Sequence, residues 1–161
     1  MKRVLKIIIL VITSSFLLGC NSNKVEELSK EKEIYQNYVK KTQNIKKTSS
    51  EEFPFDINVK YDKITKDEVR YQIVIDNPKK EIKNISAVAV HDKQTDDVFP
   101  SIGIFEKKQK LIPNKKPSGI ILVGYIPYTK SVKSFECTIK LLIRFSDEEK
   151  TQTLYYVTKK S

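Results

Sequence analysis

The chain has 161 residues, 39% of them hydrophobic and 31% charged, the composition of one small globular domain with a well-wetted surface. Thirty basic against 20 acidic side chains give a formal charge of +10, which favours contact with anionic surfaces without dictating a fold. A single histidine and two cysteines exclude multi-histidine metal sites and any zinc-type ligand set, and the length excludes a two-lobed solute-binding protein.

In chain order, Met1-Lys2-Arg3 and Lys6 form a positive start, and Ile7 to Leu18 an uncharged apolar stretch that closes on the small residues Gly19 and Cys20. This succession reads as a secretory signal peptide. The apolar run is shorter than the roughly 20 residues of a lasting membrane span.

Leu17-Leu18-Gly19-Cys20 resembles a lipobox, the motif at which bacterial lipoprotein precursors are lipidated on the cysteine and cut just before it. The resemblance implies that residues 1–19 are removed and that Cys20 becomes a mature N-terminus. A diacylglyceryl anchor, with acyl chains such as palmitate, would then hold it in the cell membrane, with the protein on the extracytoplasmic face. Removal takes three basic side chains, so 27 basic and 20 acidic residues leave +7 on the mature chain. On that face the anionic candidates are lipid headgroups and acidic wall polymers, and nucleic acid is no expected partner. With Cys20 acylated, Cys137 has no thiol to pair with, so the domain relies on its hydrophobic core. Cys137 lies among Phe135, Ile139, Leu141 and Ile143 and reads as a small buried apolar residue.

Residues 20–50 read as the lipidated N-terminus and a helical tether. Asn23 with Glu26 has capping-box spacing, and Val25, Leu28, Tyr35, Val39 and Thr42 recur at roughly helical intervals, widened by Ile34 and Tyr38 and interrupted by Lys32. A spacer that docks partly on the following domain is the expected role. Thr48-Ser49-Ser50-Glu51-Glu52 breaks the pattern and sets the boundary.

Residues 51–161 change to a period of two. Phe53, Phe55, Ile57, Val59 and Tyr61 alternate with polar residues as in a half-buried strand, with Pro54 suited to an edge. Val69, Tyr71, Ile73 and Ile75 repeat the pattern up to the turn Asp76-Asn77-Pro78-Lys79-Lys80. Ile82 to His91 follows, then Val98 to Phe105, an irregular edge strand containing Pro100 and Gly103. Glu106 to Ser118 is the longest break; its Leu111-Ile112 either docks into a partner or folds back onto the domain. Gly119 to Ile126 is an apolar strand. Phe135, Cys137, Ile139, Leu141, Ile143 and Phe145 form the cleanest alternation, with Leu142 off phase, and Thr153 to Thr158 is the last strand.

Seven strand candidates with short turns and no internal helix predict a mainly β fold, an antiparallel Ig-like β-sandwich preceded by the signal peptide and tether helix. Ile73-Val74-Ile75-Asp76-Asn77-Pro78, followed by Ile82-Lys83-Asn84-Ile85 and a valine-rich strand, resembles extracellular Ig-like modules of bacterial surface lipoproteins. The resemblance implies fold and brings no catalytic or ligand residues with it.

Catalytic constellations do not emerge. His91 beside Asp92 at a strand end reads as a solvated histidine. No Gly-x-Ser-x-Gly elbow occurs and the four glycines build no phosphate-cradling loop. The carboxylate clusters Glu51-Glu52, Asp67-Glu68, Asp96-Asp97 and Asp147-Glu148-Glu149 fall in loops or turns. Neither an enzyme nor a cofactor is expected. What remains is surface: Tyr125, Tyr128, Tyr155 and Tyr156 near strand ends, and the lysine-rich loop of Lys107, Lys108, Lys110, Lys115 and Lys116 as an electrostatic contact for a polyanion. The expected function is therefore a membrane-anchored, non-enzymatic binding or protein-interaction module at the cell envelope, of exclusion or immunity type in one version, with wall-polymer or headgroup binding as the alternative and a small envelope hydrolase as the weakest.

Overall fold

A computed structural model describes residues 19–63, 65, 67–115, 119–127, 135–148 and 150–160. The signal-peptide segment, Lys116 and Tyr128 lie outside the described residues, as does the side chain of Cys20. The elements are a helix α1 (Gly19–Gln43) and eight strands: β1 (Asp56–Lys63), β2 (Glu68–Asp76), β3 (Ile82–His91), β4 (Ser101–Ile102), β5 (Gln109–Leu111), β6 (Gly119–Pro127), β7 (Cys137–Ser146) and β8 (Thr151–Lys160). No described helix is long and apolar enough to cross a membrane.

The chain divides into two units, Met1–Ile34 and Tyr35–Ser161. In the first, α1 carries an exposed Lys30–Glu26 pair at 2.8 Å, one helical turn apart and so of little energetic weight. Val25, Leu28 and Ile34 are exposed.

The second unit is an antiparallel β-sandwich. One sheet has the order β1-β2-β6; the other runs β4-β3-β7-β8, with β5 also paired to β3. Period-two patterning decides which side chains enter the space between them. Tyr71, Ile73 and Ile75 of β2 and Ile120, Leu122 and Ile126 of β6 face Ile85, Ala87 and Ala89 of β3 and the inward row of β7, Cys137 to Phe145. Cys137 is buried in that row.

The strand that was expected from Phe53 begins at Asp56, because Phe53 and Phe55 leave the sheet to pack edge-on against Tyr156 and Phe145. The irregular strand expected over Val98 to Phe105 is paired only at Ser101–Ile102, opposite Val88 and Ala87. The following loop supplies β5, whose Leu111 joins the core. Leu111 folds inward, as one of its two expected fates required. Between β4 and β5 the backbone of Gly103 (φ 67°) runs so close to the Ile85 carbonyl that no Cβ would fit. The β3 ladder with β7 slips between Lys83 and Ser86, and Asn84 takes up the positive φ of 54° there, a bulge that turns Lys83 and Asn84 together to solvent.

The outer face of the β3–β7 sheet is covered. Val88, Val90 and Leu142 point away from the sandwich core and pack with Tyr38, Ile45 and Ile104. Leu142, off phase in the sequence, is therefore core residue of a second layer. Tyr35 O–H donates to the Phe99 carbonyl at 3.1 Å, and Lys140 Nζ donates to Gln43 O at 2.6 Å, satisfying a carbonyl at the end of α1. Thr48 and Ser49, which read as a pattern break, close the open edge of β8. Ser49 N–H donates to Tyr155 O at 2.8 Å, while Ser49 Oγ and Thr48 Oγ1 accept from the N–H groups of Tyr155 and Val157 at 2.9 and 3.0 Å.

Candidate functional site

Three places collect the side chains that could act: the buried end of β3, the outer face of β6, and the groove between β3 and β5.

His91 is not a solvated histidine. It ends β3 on the core side, 7% exposed, edge-on to the rings of Tyr71 and Phe99. Lys93 N–H donates to Nδ1 at 3.3 Å, which requires that nitrogen to be bare, so the proton sits on Nε2, 3.1 Å from the Tyr125 carbonyl it bonds. Burial pushes its pKa below the ordinary 6.5, against the opposing pull of Asp92 and Asp97. The residue is a neutral clamp between the sheets. The Cys137 thiol, pushed up to about 12 by burial and by the nearby Asp92 carboxylate, stays a thiol at neutral pH and lacks the nucleophilic form.

Two of the carboxylates singled out in the sequence serve local structure. Glu52 pairs with Lys79. Asp147, its side chain 2% exposed, pairs with Lys80 at 2.9 Å and accepts from Gln152. Among the described residues no three His, Cys, Asp or Glu side chains converge as a metal site.

The outer face of the β1-β2-β6 sheet grades from polar to apolar. Its cross-strand rows are Asn58–Val74–Ile121, Lys60–Gln72–Val123 and Asp62–Arg70–Tyr125, the last held by an Arg70 Nη2–Asp62 Oδ2 pair at 3.0 Å. Ile121, Val123 and Tyr125 are 55%, 40% and 43% exposed. β6 contains no charged residue, and among the described strands only β2 pairs with it. Of the three described tyrosines singled out in the sequence, Tyr125 belongs to this face, Tyr155 packs in the layer under α1, and Tyr156 packs against the main core.

The groove, about 450 Å³, brings Lys107, Lys108 and Lys110 together with Lys83, Asn84, Gln109 and Glu81. Lys115 is exposed after the turn at Asn114 and does not line it. The sequence did not single out Lys83 and Asn84 as groove residues; an asparagine inside a strand pattern, the residue type that most readily takes a positive φ after glycine, was the available signal for a bulge there. A larger cleft, about 620 Å³, lies between the end of α1 and β8, but its Thr48 and Ser49 already bond the β8 backbone.

No protein-family model matches the chain, and no curated protein matches it in sequence.

Proposed function

We propose that this chain is a lipoprotein anchored through Cys20 at the extracytoplasmic face of the cell membrane, whose sandwich is a non-enzymatic module that docks an envelope protein on β6. The signal-like pattern of residues 1–20 supports the anchor. The strand order supports an Ig-like reading: with the short β4 and β5 together taking the place of one strand between C and E, β1, β2 and β6 correspond to A, B and E, and β3, β7 and β8 to C, F and G.

One observation carries the binding reading. Among the described residues the other sheet edges are protected and that of β6 is bare. β1 bears Asp56, Lys60 and Asp62, β8 is closed by Thr48 and Ser49, and β4 and β5 are two and three residues long. β6 spans nine residues, uncharged, with Ile121, Val123 and Tyr125 facing out. Natural sheets guard an edge of that kind unless it meets a partner. The surplus of +7 on the mature chain disfavours a second copy there and favours a different protein.

A photo-crosslinking side chain at Val123 of the native lipoprotein tests this. A discrete adduct is expected from Val123, none from Lys159, and loss of the adduct when Ile121→Lys is added. Adducts that are equal at both positions, or a Val123 adduct only with a second copy, would overturn the reading.

A further inference from the structure

The geometry points to a second binding site, independent of β6: the β3–β5 groove takes the phosphate groups of a linear anionic polymer. Four ammonium groups, those of Lys83, Lys107, Lys108 and Lys110, share it with a single carboxylate, Glu81, and that carboxylate already lies 3.4 Å from Lys83 Nζ. Among the described residues Lys107, Lys108 and Lys110 have no carboxylate partner. Glu106, next to Lys107 in the chain, is spent within the loop, accepting the Gly103 N–H at 2.6 Å, and Asp147, which follows the Ser146 paired with Lys83, already pairs with Lys80.

Two of the four lysines stand on paired strands. The bulge at Asn84 faces Lys83 outward. Opposite, β5 pairs Leu111 with Ile82 and Gln109 with Ile85, so the buried Leu111 fixes the strand while Gln109 and Lys110 face solvent. Lys83 and Lys110 thus stand on strands held by backbone pairing, with Lys107 and Lys108 in the loop that enters β5, and like charges are kept together at the cost of their mutual repulsion. That repulsion is relieved by a ligand carrying several negative charges. Lysine is a compact point charge with rotatable donors, without the planar fork that reads a defined group, so the site selects charge density and a repeating phosphate spacing over the identity of the units between. An open groove, rather than a closed pocket, suits a chain that passes through.

The test uses the full chain in detergent with inorganic polyphosphate, orthophosphate and phosphatidylglycerol vesicles as probes. Polyphosphate is expected to bind, to bind far more tightly than orthophosphate through multiple contacts, and to weaken by about tenfold or more between 50 and 200 mM salt. Lys107→Glu/Lys108→Glu/Lys110→Glu should weaken it at least about tenfold. A control with the same change in charge, Lys40→Glu/Lys60→Glu/Lys159→Glu, should retain most of the affinity; all six side chains are exposed, and equal melting temperatures verify folding. Equal loss in both triple variants reduces the effect to net charge and overturns the site. Failure to bind polyphosphate at 50 mM salt overturns it as well, and vesicle binding in its place assigns the groove to headgroups instead of a polymer. Because none of these residues lies on β6, a negative result here leaves the Val123 crosslinking outcome unaffected.

Discussion

His91 Nε2, at the end of β3, bonds the carbonyl of Tyr125 on β6 across the sandwich at 3.1 Å. The bond ties the uncharged strand β6, with its exposed Ile121, Val123 and Tyr125, to the core, while the other ring nitrogen, Nδ1, accepts from the Lys93 N–H. Protonation would put a second N–H against that donor and a charge among Tyr71 and Phe99. The folded pKa lies below the unfolded 6.5, so the contribution of His91 is complete above pH 6.5 and is lost as pH falls from there through the lowered folded value. Urea unfolding at pH 7.5 and 5.5 should show a larger drop in stability for the wild type than for His91→Gln, which keeps a donor for Tyr125 and cannot titrate. Equal drops would place the proton elsewhere.

Gly124 stands opposite Tyr71 in the β2–β6 ladder, and a Cβ there would overlap the phenol ring. The ring cannot swing away, because Tyr71 is fully buried and wedged against His91. Gly124→Ala should cost about 1–3 kcal/mol, as overpacking of a filled core does, read as a lower urea midpoint at unchanged slope.

The inward faces were legible because one sheet face imposes a period of two: Tyr71, Ile73 and Ile75, and Cys137 through Phe145, could be read directly. What sequence reading missed depends on contacts between distant segments. His91 is buried by Tyr71, Phe99 and the Tyr125 backbone, none of them its neighbours in sequence. Thr48 and Ser49 look like a linker until β8 is beside them. β4 and β5 are too short to carry a period. In the groove, Lys107, Lys108 and Lys110 were visible as a charge run, whereas Lys83 joins them only because the bulge at Asn84 rotates the strand.

Leu142 marks the second buried face. It is 1% exposed and packs with Val88, Val90 and Tyr38 beneath the end of α1, although strict alternation assigns it to the polar side. Leu142→Ala should therefore destabilise by about 2–5 kcal/mol, the range for a buried leucine. Arg144→Ala, two residues on and exposed, should stay within about 0.5 kcal/mol. Matching values for the two variants would mean that α1 does not cover this face in solution.

Cys137 distinguishes a packing role from a chemical one. Its thiol is buried in the inward row of β7 and lies near the Asp92 carboxylate. Cys137→Asp places a second carboxylate there and should cost roughly 3 kcal/mol or more, since an unpaired buried charge has no compensation. Cys137→Ser keeps the volume nearly constant and offers Asp92 a hydroxyl donor, so a loss of about 1–2 kcal/mol is expected. An unchanged melting temperature for the aspartate variant would put the side chain outside the core.

Membrane attachment should depend on Cys20 alone. Each methylene of a buried acyl chain contributes about 0.8 kcal/mol, and two chains are enough for stable anchoring where one is marginal. Without them the uncleaved stretch from Ile7 to Leu18 falls well short of the roughly 20 apolar residues of a spanning helix, and no described helix compensates. Cys20→Ala should abolish incorporation of labelled fatty acid and shift the protein out of the membrane fraction. A variant that stays as firmly bound, with unchanged lipid labelling, would show that a different group carries the anchor, and the placement of β6 at the envelope would lose its footing.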